Sequence, residues 1–298
     1  MEDAPTLDDA GNHLTDYNLA LSLQNKLRAA HLSPKSPPPT PPHALILTSH
    51  PPLYTIGTAT TSTSLPLNPT IPLIPTGRGG DVTYHGPGQL VAYPIIDLTH
   101  FKKDVHWYVR ALEEVSLRAI DDFASTSTTP GASRPTRLPG LTGVFAATPP
   151  HLKVSSIGVS LRRWVTLHGV SLNVTPHSTA GPATAIVPCG IVDCQTGNVE
   201  AEFAGGGGVA RMRTCWIQAF EAVFECDVRT PVALADVPAE LDSVAVEELL
   251  NVRGLCQDEG AVHMYTFVKA TGLFTLTSGC GNGNLPRYFP AVVSEEKL

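Results

Sequence analysis

The chain has 298 residues, 42% of them hydrophobic and 16% charged, with a formal net charge of −7. That length allows one large domain or two small ones, and the apolar content supports a packed core and argues against general disorder. The negative balance gives no bulk support to a nucleic-acid role, and no apolar run is long enough to span a bilayer.

Residues 1–14 read as a loose tail. Its start, Met1-Glu2-Asp3-Ala4, is acidic, unlike an Arg-rich, acid-poor mitochondrial transit peptide. Asp16 predicts the cap of a helix running to about residue 29, with Ala20, Leu23 and Leu27 on one face. Residues 32–43 are a proline-rich loop. Residues 44–48 read as a buried strand, and residues 58–76, rich in Thr, Ser and Pro, as loop. A strand is predicted over 90–98. Asp104 opens the clearest helix, with Val105, Tyr108, Leu112, Val115, Ala119 and Phe123 three and four apart. Residues 125–140 read as loop, followed by strands over 143–146, 152–161 and 165–174. The four glycines at 205–208 read as a flexible hinge before a helix over 209–226 that aligns Met212, Trp216, Ala219, Phe220 and Val223. Further on, a short helix over 242–252 and a hairpin of 262–269 with 273–277 are predicted. These readings divide the chain into a tail (1–14), a catalytic domain (15–229) and a C-terminal extension of unassigned role (230–298).

The six cysteines, Cys189, Cys194, Cys215, Cys226, Cys256 and Cys280, all lie in the second half and form no Cys-x-x-Cys pair. With no signal peptide this predicts a reducing compartment without a disulfide framework. Their clustering with histidine is too loose for a zinc site.

The densest chemistry lies in Gly77-Arg78-Gly79-Gly80-Asp81-Val82-Thr83-Tyr84-His85-Gly86-Pro87-Gly88-Gln89. Glycines let backbone N–H groups approach a ligand closely, and a fixed cation, a hydroxyl, a phenol and an imidazole stand among them. Neither a Gly-Lys-Ser/Thr run nor a dinucleotide glycine spacing is present, so the stretch is not read as a phosphate loop. Three further runs stand out: Lys153-Val154-Ser155-Ser156-Ile157-Gly158, His168-Gly169-Val170-Ser171-Leu172-Asn173-Val174 and Pro188-Cys189-Gly190. Taken alone, a strand lysine is ordinarily a solvated surface residue and a lone cysteine a small buried hydrophobe.

The four runs, in this order, resemble the octanoyltransferases of lipoate biosynthesis, also called lipoate-protein ligase B. His50-Pro51-Pro52-Leu53-Tyr54-Thr55-Ile56-Gly57 is similar to that family as well. Ser171 departs from its more usual alanine. The resemblance covers roughly residues 44–225 and is silent on the rest. It implies the mixed α/β fold shared with biotin- and lipoate-protein ligases, one twisted sheet with helices packed on it. It also implies Cys189 as nucleophile and Lys153 as its proton partner. Substrate contacts are implied at Arg78, Gly79, Gly80, Asp81, Val82, Thr83, Tyr84 and His85, at Ser156, Ile157 and Gly158, and at Gly169, Val170 and Ser171, with Tyr84 and His85 expected at the pocket entrance.

The implied activity moves octanoyl from acyl carrier protein, where phosphopantetheine carries it, to a lysine of lipoyl domains through a cysteine thioester. The implied acceptors are the lipoyl domains of 2-oxoacid dehydrogenases and the glycine cleavage H protein, with no ATP, metal, nucleic acid or membrane involved. The Pro/Thr/Ser-rich insertions point to a eukaryotic source, for which the resemblance implies mitochondria; bacterial members are cytoplasmic. Two other readings are an ATP-dependent lipoate or biotin ligase on the same fold and a cysteine hydrolase pairing Cys189 with His85 or His168.

Overall fold

The computed structural model describes residues 14–33, 43–61, 71–125, 133–185, 195–229 and 262–269. Its frame is an eight-stranded sheet. Along the chain the strands of this sheet are β1 (His43–Thr48), β5 (Gln89–Ile95), β6 (Pro135–Thr136), β7 (Val144–Ala146), β8 (Lys153–Arg162), β9 (Val165–Asn173), β10 (Cys226–Arg229) and β11 (Val262–Lys269), in spatial order β10-β11-β1-β5-β9-β8-β7-β6. A small second sheet holds β2 (Leu53–Ile56) between β3 (Leu73–Pro75), parallel to it, and β4 (Thr83–His85), antiparallel.

Helices cover both faces of the main sheet. On one lies α1 (Tyr17–Leu32), against Ala44, Ile46, Val91, Tyr93 and Ile95. On the other lie α2 (Val105–Ala124) and α4 (Gly208–Phe224), packed on each other and on Leu45, Leu47, Leu90 and Ala92. Successive strand residues point to opposite faces, so a strand covered on both sides reads as an unbroken apolar run. That is why residues 44–48 are recognisable in the sequence.

Asp16 caps α1 by accepting from the Leu19 N–H at 3.0 Å, and Asp104 caps α2 by accepting from His106 and Trp107 N–H at 2.9 and 3.1 Å. The α2 periodicity holds except at Val105, which is 38% exposed at the first turn. In α4, Met212, Trp216, Ala219 and Phe220 are buried as predicted, joined by Cys215 and Phe224. The helix ends two residues earlier than predicted: Glu225 turns left-handed at φ 50°, and Cys226 opens β10. The predicted hinge at 205–208 is a packed turn at its start, because Gly205 lies flat on the Phe123 ring, where a side chain would clash. The sequence reading missed the short elements β2, β3, β4, β6, α3 (Val199–Phe203) and β10.

Strand β11 forms where predicted, but its neighbours are β1 and β10, both antiparallel. The second arm of the predicted hairpin and the predicted helix over 242–252 lie outside the described residues. No helix among the described residues is long and apolar enough to cross a membrane.

With β11 in place, β1 is a central strand. A chain ending after residue 229 would leave β1 with open backbone groups along one side. We expect that truncation to lower the melting temperature by roughly 5 °C or more, the shift that about 1–2 kcal/mol gives in a domain of this size, and to promote aggregation. An unchanged melting curve would show that residues 230–298 are dispensable to the fold.

Candidate active site

The Gly-rich stretch lies along the outer part of β8. Strand β7 covers only the start of β8, pairing near Ser155, and beyond it the Gly79 N–H donates to the Val159 carbonyl at 2.9 Å. Gly158 permits this approach, since a Cβ there would come within 2.8 Å of Gly79 O and 2.9 Å of Arg78 Cδ. Between this stretch, β8, the first turns of α2 and the 140–142 loop opens a cavity of about 720 Å³.

Most of the predicted site residues meet at this cavity. Arg78, Gly79, Gly80, Asp81, Val82, Thr83 and Tyr84 line it, as do Lys153, Ser156, Ile157, Gly158 and Ser171. His85, Gly169 and Val170 instead line a chamber of about 20 Å³, which shares Arg78, Thr83, Ser156, Gly158 and Ser171 with the larger space. Tyr84 is a wall residue, but His85 is buried in the interior and does not stand at an entrance. Burial of an imidazole whose two nitrogens both find partners is the physical reason. Cys189 lies outside the described residues. The chain on either side of its segment reaches the cavity, with Ala183 before it and Thr196 after it.

The hydrogen bonds around His85 admit one arrangement of protons. Gln89 Nε2 donates to Tyr84 O at 3.0 Å and to Asn173 Oδ1 at 2.9 Å. Its Oε1 therefore accepts, and His85 Nδ1, 3.2 Å away, carries the proton. His85 Nε2 then accepts from Thr55 Oγ1 at 3.2 Å. That hydroxyl oxygen in turn accepts from Arg78 Nε and Nη2 at 3.1 and 2.9 Å. At the other end, Asn173 Nδ2 donates to Gly197 O at 3.1 Å, and the Gly197 N–H donates to Lys153 O at 2.9 Å. The Lys153 N–H donates to Gln195 O at 2.8 Å.

Arg78 is 6% exposed, and among the described residues no carboxylate lies within ion-pair range of it. Its remaining bonds run to Thr55 O at 2.7 Å and Gly79 O at 3.0 Å. Burial holds its pKa below the ordinary guanidinium value. Asp81 acts on Arg78 only at longer range, and a buried cation with no direct ion pair suits an oxygen that gains negative charge. Lys153 is only 5% exposed, unlike the ordinary strand lysine, and its Nζ lies 5.7 Å from the Phe145 ring centre. Gln89, Asn173 and Thr55 stand in the quoted motifs, yet no role for them was visible in the sequence. Cys215 and Cys226 are buried, and burial pushes the Cys226 thiol up to about 12, which leaves it inert.

The chain belongs to the family of the lipoyl protein ligase A/B catalytic domain, whose model matches residues 16–221. Within that family it is an octanoyltransferase of lipoate biosynthesis. It is 43% identical over 192 residues to an octanoyltransferase of Geotalea uraniireducens, a match covering 64% of this chain and 81% of the relative. It is 42% identical over 166 residues to a chloroplastic octanoyltransferase of Arabidopsis thaliana, a match covering 55% of each chain. In fold it is similar to a bipartite lipoate protein ligase of Thermoplasma acidophilum, with a TM-score of 0.55 at 15% identity over 79% of this chain and 89% of that one.

Four buried histidines set the acid limit of this architecture. Burial pushes His43 down to about 3, His50 to about 4 and His168 to about 4, and it holds His85 well below 6.5. In the unfolded chain each takes up a proton near pH 6.5. As pH falls through 6.5 the unfolded state therefore binds protons that the folded state refuses, and stability declines towards pH 4. Each such histidine contributes a slope of about 1.4 kcal/mol per pH unit in that window. Urea unfolding over a pH series should show the decline, and His50→Gln should flatten it by about one proton's worth. An unaltered slope in that variant would remove His50 from the group.

Proposed function

We propose that the chain transfers octanoyl by a two-step exchange in which Cys189 carries the acyl group and Lys153 moves the protons. The observation that carries this reading is the main-chain attachment of Lys153 to residues 195–197, the segment that follows the Pro188-Cys189-Gly190 run. Cys189 stands four residues after Ala185 and six before Gln195, and an extended chain spans at most about 3.5 Å per residue. The C-terminal flank of the proposed nucleophile is thus tethered to the strand that holds the lysine, and on its N-terminal side Ala183 lines the same cavity.

In the first half-reaction, Lys153 takes the Cys189 thiol proton and the thiolate attacks the thioester carbonyl of octanoyl-acyl carrier protein. The carbonyl oxygen gains negative charge, and the carrier thiol departs with a proton returned by Lys153. In the second, the amine of a lipoyl-domain lysine attacks the Cys189 thioester, gives its proton to Lys153 and leaves as the amide, restoring the thiol. The exchange of thioester for thioester and then for amide requires no ATP. Arg78 and the N–H groups of the Gly-rich stretch are the proposed partners of the developing oxyanion. The apolar side of the cavity, with Val109, Leu141, Ile157 and Val159, suits the acyl chain.

Acyl carrier protein as donor, and lipoyl domains of 2-oxoacid dehydrogenases or the glycine cleavage H protein as acceptors, belong to the same proposal. An acidic partner meets a chain that is itself −7, so it needs a local basic patch; Arg28, Arg162 and Arg163 gather around one groove. Mitochondrial placement is proposed for a eukaryotic source, and the chloroplastic Arabidopsis relative names the competing organelle.

A cysteine hydrolase would need a histidine to take the thiol proton: both ring nitrogens of His85 are engaged, whereas His168 Nδ1, at the small chamber, has no hydrogen-bond partner among the described residues, so experiment has to decide. A ligase would need ATP. One experiment separates these readings. Mixed with octanoyl-acyl carrier protein and no ATP, the protein should gain the mass of one octanoyl group, discharged by added lipoyl domain. Cys189→Ser should gain none; an adduct that persists there would rule out this nucleophile.

Lys153→Ala and Lys153→Arg divide the lysine's two roles. Arginine keeps the charge but does not deprotonate in proteins. We expect Lys153→Arg to retain alkylation of Cys189 near neutral pH while losing at least about a hundredfold in turnover. Lys153→Ala should lose both. Near-normal turnover in Lys153→Arg would show that another group is the base.

A further inference from the structure

Glu113 sits in the middle of α2, fully buried. Its two carboxylate oxygens do different work. Oε2 accepts from Arg110 Nη1 at 2.6 Å and from Arg137 Nε at 3.0 Å. Those two ion pairs account for a buried charge by themselves. Oε1 faces away from the arginines and accepts the main-chain N–H of Gly143 at 3.0 Å.

Gly143 is the point at which the 140–143 loop meets Lys153. Its φ is +123°, a conformation that glycine alone adopts without strain. A methyl group there would lie 2.9 Å from Lys153 Cε and 3.5 Å from Nζ, and it would strike Ser155 O. The bare backbone of Gly143 is therefore the surface on which the end of the lysine side chain rests. The same loop supplies Gly140, Leu141 and Thr142 to the cavity wall. Its beginning is fastened to α2 a second time, through Arg137 Nη2 to Glu114 Oε2 at 2.7 Å and to Arg110 O at 3.3 Å.

We propose that Glu113 is a positioning residue for the transfer reaction: by holding the Gly143 N–H it fixes the backbone surface that aims the Lys153 ammonium into the cavity. The inference rests on Lys153 acting as the proton carrier. A lysine has four rotatable bonds and no fixed fork to orient it, so the surface its stem lies against contributes to its direction. Misplacing a reacting group by about 1 Å costs on the order of a hundredfold in rate. Glu113 touches no reacting atom, and its effect passes through one hydrogen bond and one van der Waals contact.

Three variants test this, each followed by kcat, KM for octanoyl-acyl carrier protein and melting temperature. Glu113→Ala removes the bond to Gly143 and both ion pairs. Glu113→Gln loses the ion pairs, but its amide oxygen can still accept the Gly143 N–H. Glu114→Ala removes the outer partner of Arg137 and the surface pair with Arg118, and leaves the Gly143 bond in place. We expect Glu113→Ala to lose about tenfold to a hundredfold in kcat, with KM changed by less than about threefold. Glu113→Gln should melt lower than wild type yet keep most of kcat, and Glu114→Ala should keep nearly all of it. If Glu113→Ala does not fold, Glu113→Gln still decides: a kcat lost in step with its melting temperature overturns the proposal, because activity then follows the ion pairs and not the Gly143 bond. The acylation rate of Lys153 by an amine-reactive ester, read by peptide mass, supplies a measure independent of turnover; it should change in Glu113→Ala and not in Glu114→Ala. Lys153→Ala run beside them separates the two readings. Full turnover there removes the lysine from the chemistry, whereas lost turnover there with an unchanged kcat in Glu113→Ala removes Glu113 alone.

Discussion

The site depends on one continuous chain of hydrogen bonds from Arg78 to the backbone of Lys153. It runs through Thr55, His85, Gln89, Asn173 and Gly197. Each member has a single role open to it, because both neighbours fix which of its atoms donate. A buried polar group without a partner costs about 1–3 kcal/mol, so a chain of this kind is stable only when complete. Here it is complete, and it ties the small sheet, the Gly-rich stretch and three strands of the large sheet into one unit. Neutral His85 is a condition of the arrangement. A second ring proton would point at Thr55 Oγ1, which already accepts from Arg78, and the chain would open at that point.

The topology explains why Lys153 lies where this chain ends. From Ser155 outward, β8 has β9 as its neighbour, Ser155 facing Leu172. At Lys153 the position that β9 would occupy is taken by Thr196, in a parallel bridge. Strand β9 stops at Asn173, the chain departs, and residues 195–197 return to fill the gap. On the other side Phe145 faces Lys153. The lysine backbone is therefore clasped between two neighbours, and its side chain emerges where the sheet changes partners. A reactive group at such a seam is held rigidly and still meets a cavity.

Much of this frame was legible in the sequence. The spacing of Tyr108, Leu112, Val115, Ala119 and Phe123 gave α2, and the unbroken run 44–48 gave β1, because each pattern records burial on a known face. The family resemblance carried by the motifs implies Arg78, Lys153, Ser156 and Ser171 as site residues, and all four line one cavity. Long-range partnership is what the sequence did not disclose. Gln89 and Asn173 are 84 residues apart in the chain, and nothing in either motif names the other. Glu113 carries no signal of its own in the sequence, since its burial depends on Arg110, Arg137 and a loop 30 residues away. The burial of Lys153 was hidden for the same reason. Local pattern reports which face is apolar; it does not report which polar groups are paired behind it.

The two cations at the cavity differ in kind, and that difference bears on the proposed chemistry. Arg78 is fixed by bonds to Thr55 and Gly79 and keeps its charge through any proton transfer, so it suits constant stabilisation of an oxyanion. Lysine can gain and lose a proton once desolvated, so Lys153 suits the moving proton. Had both positions been arginine, the cavity would bind an anion but deprotonate nothing. Had both been lysine, each would lower the proton affinity of the other and the permanent charge would be lost. The cavity is also lined by Val109, Leu141, Ile157 and Val159, where each buried methylene of a chain contributes about 0.8 kcal/mol. On the proposed reading, a polar head and an apolar tail therefore enter in one orientation only. The carbonyl lies by the cations and the chain along α2, so binding energy from the tail is available to hold the carbonyl in place for attack.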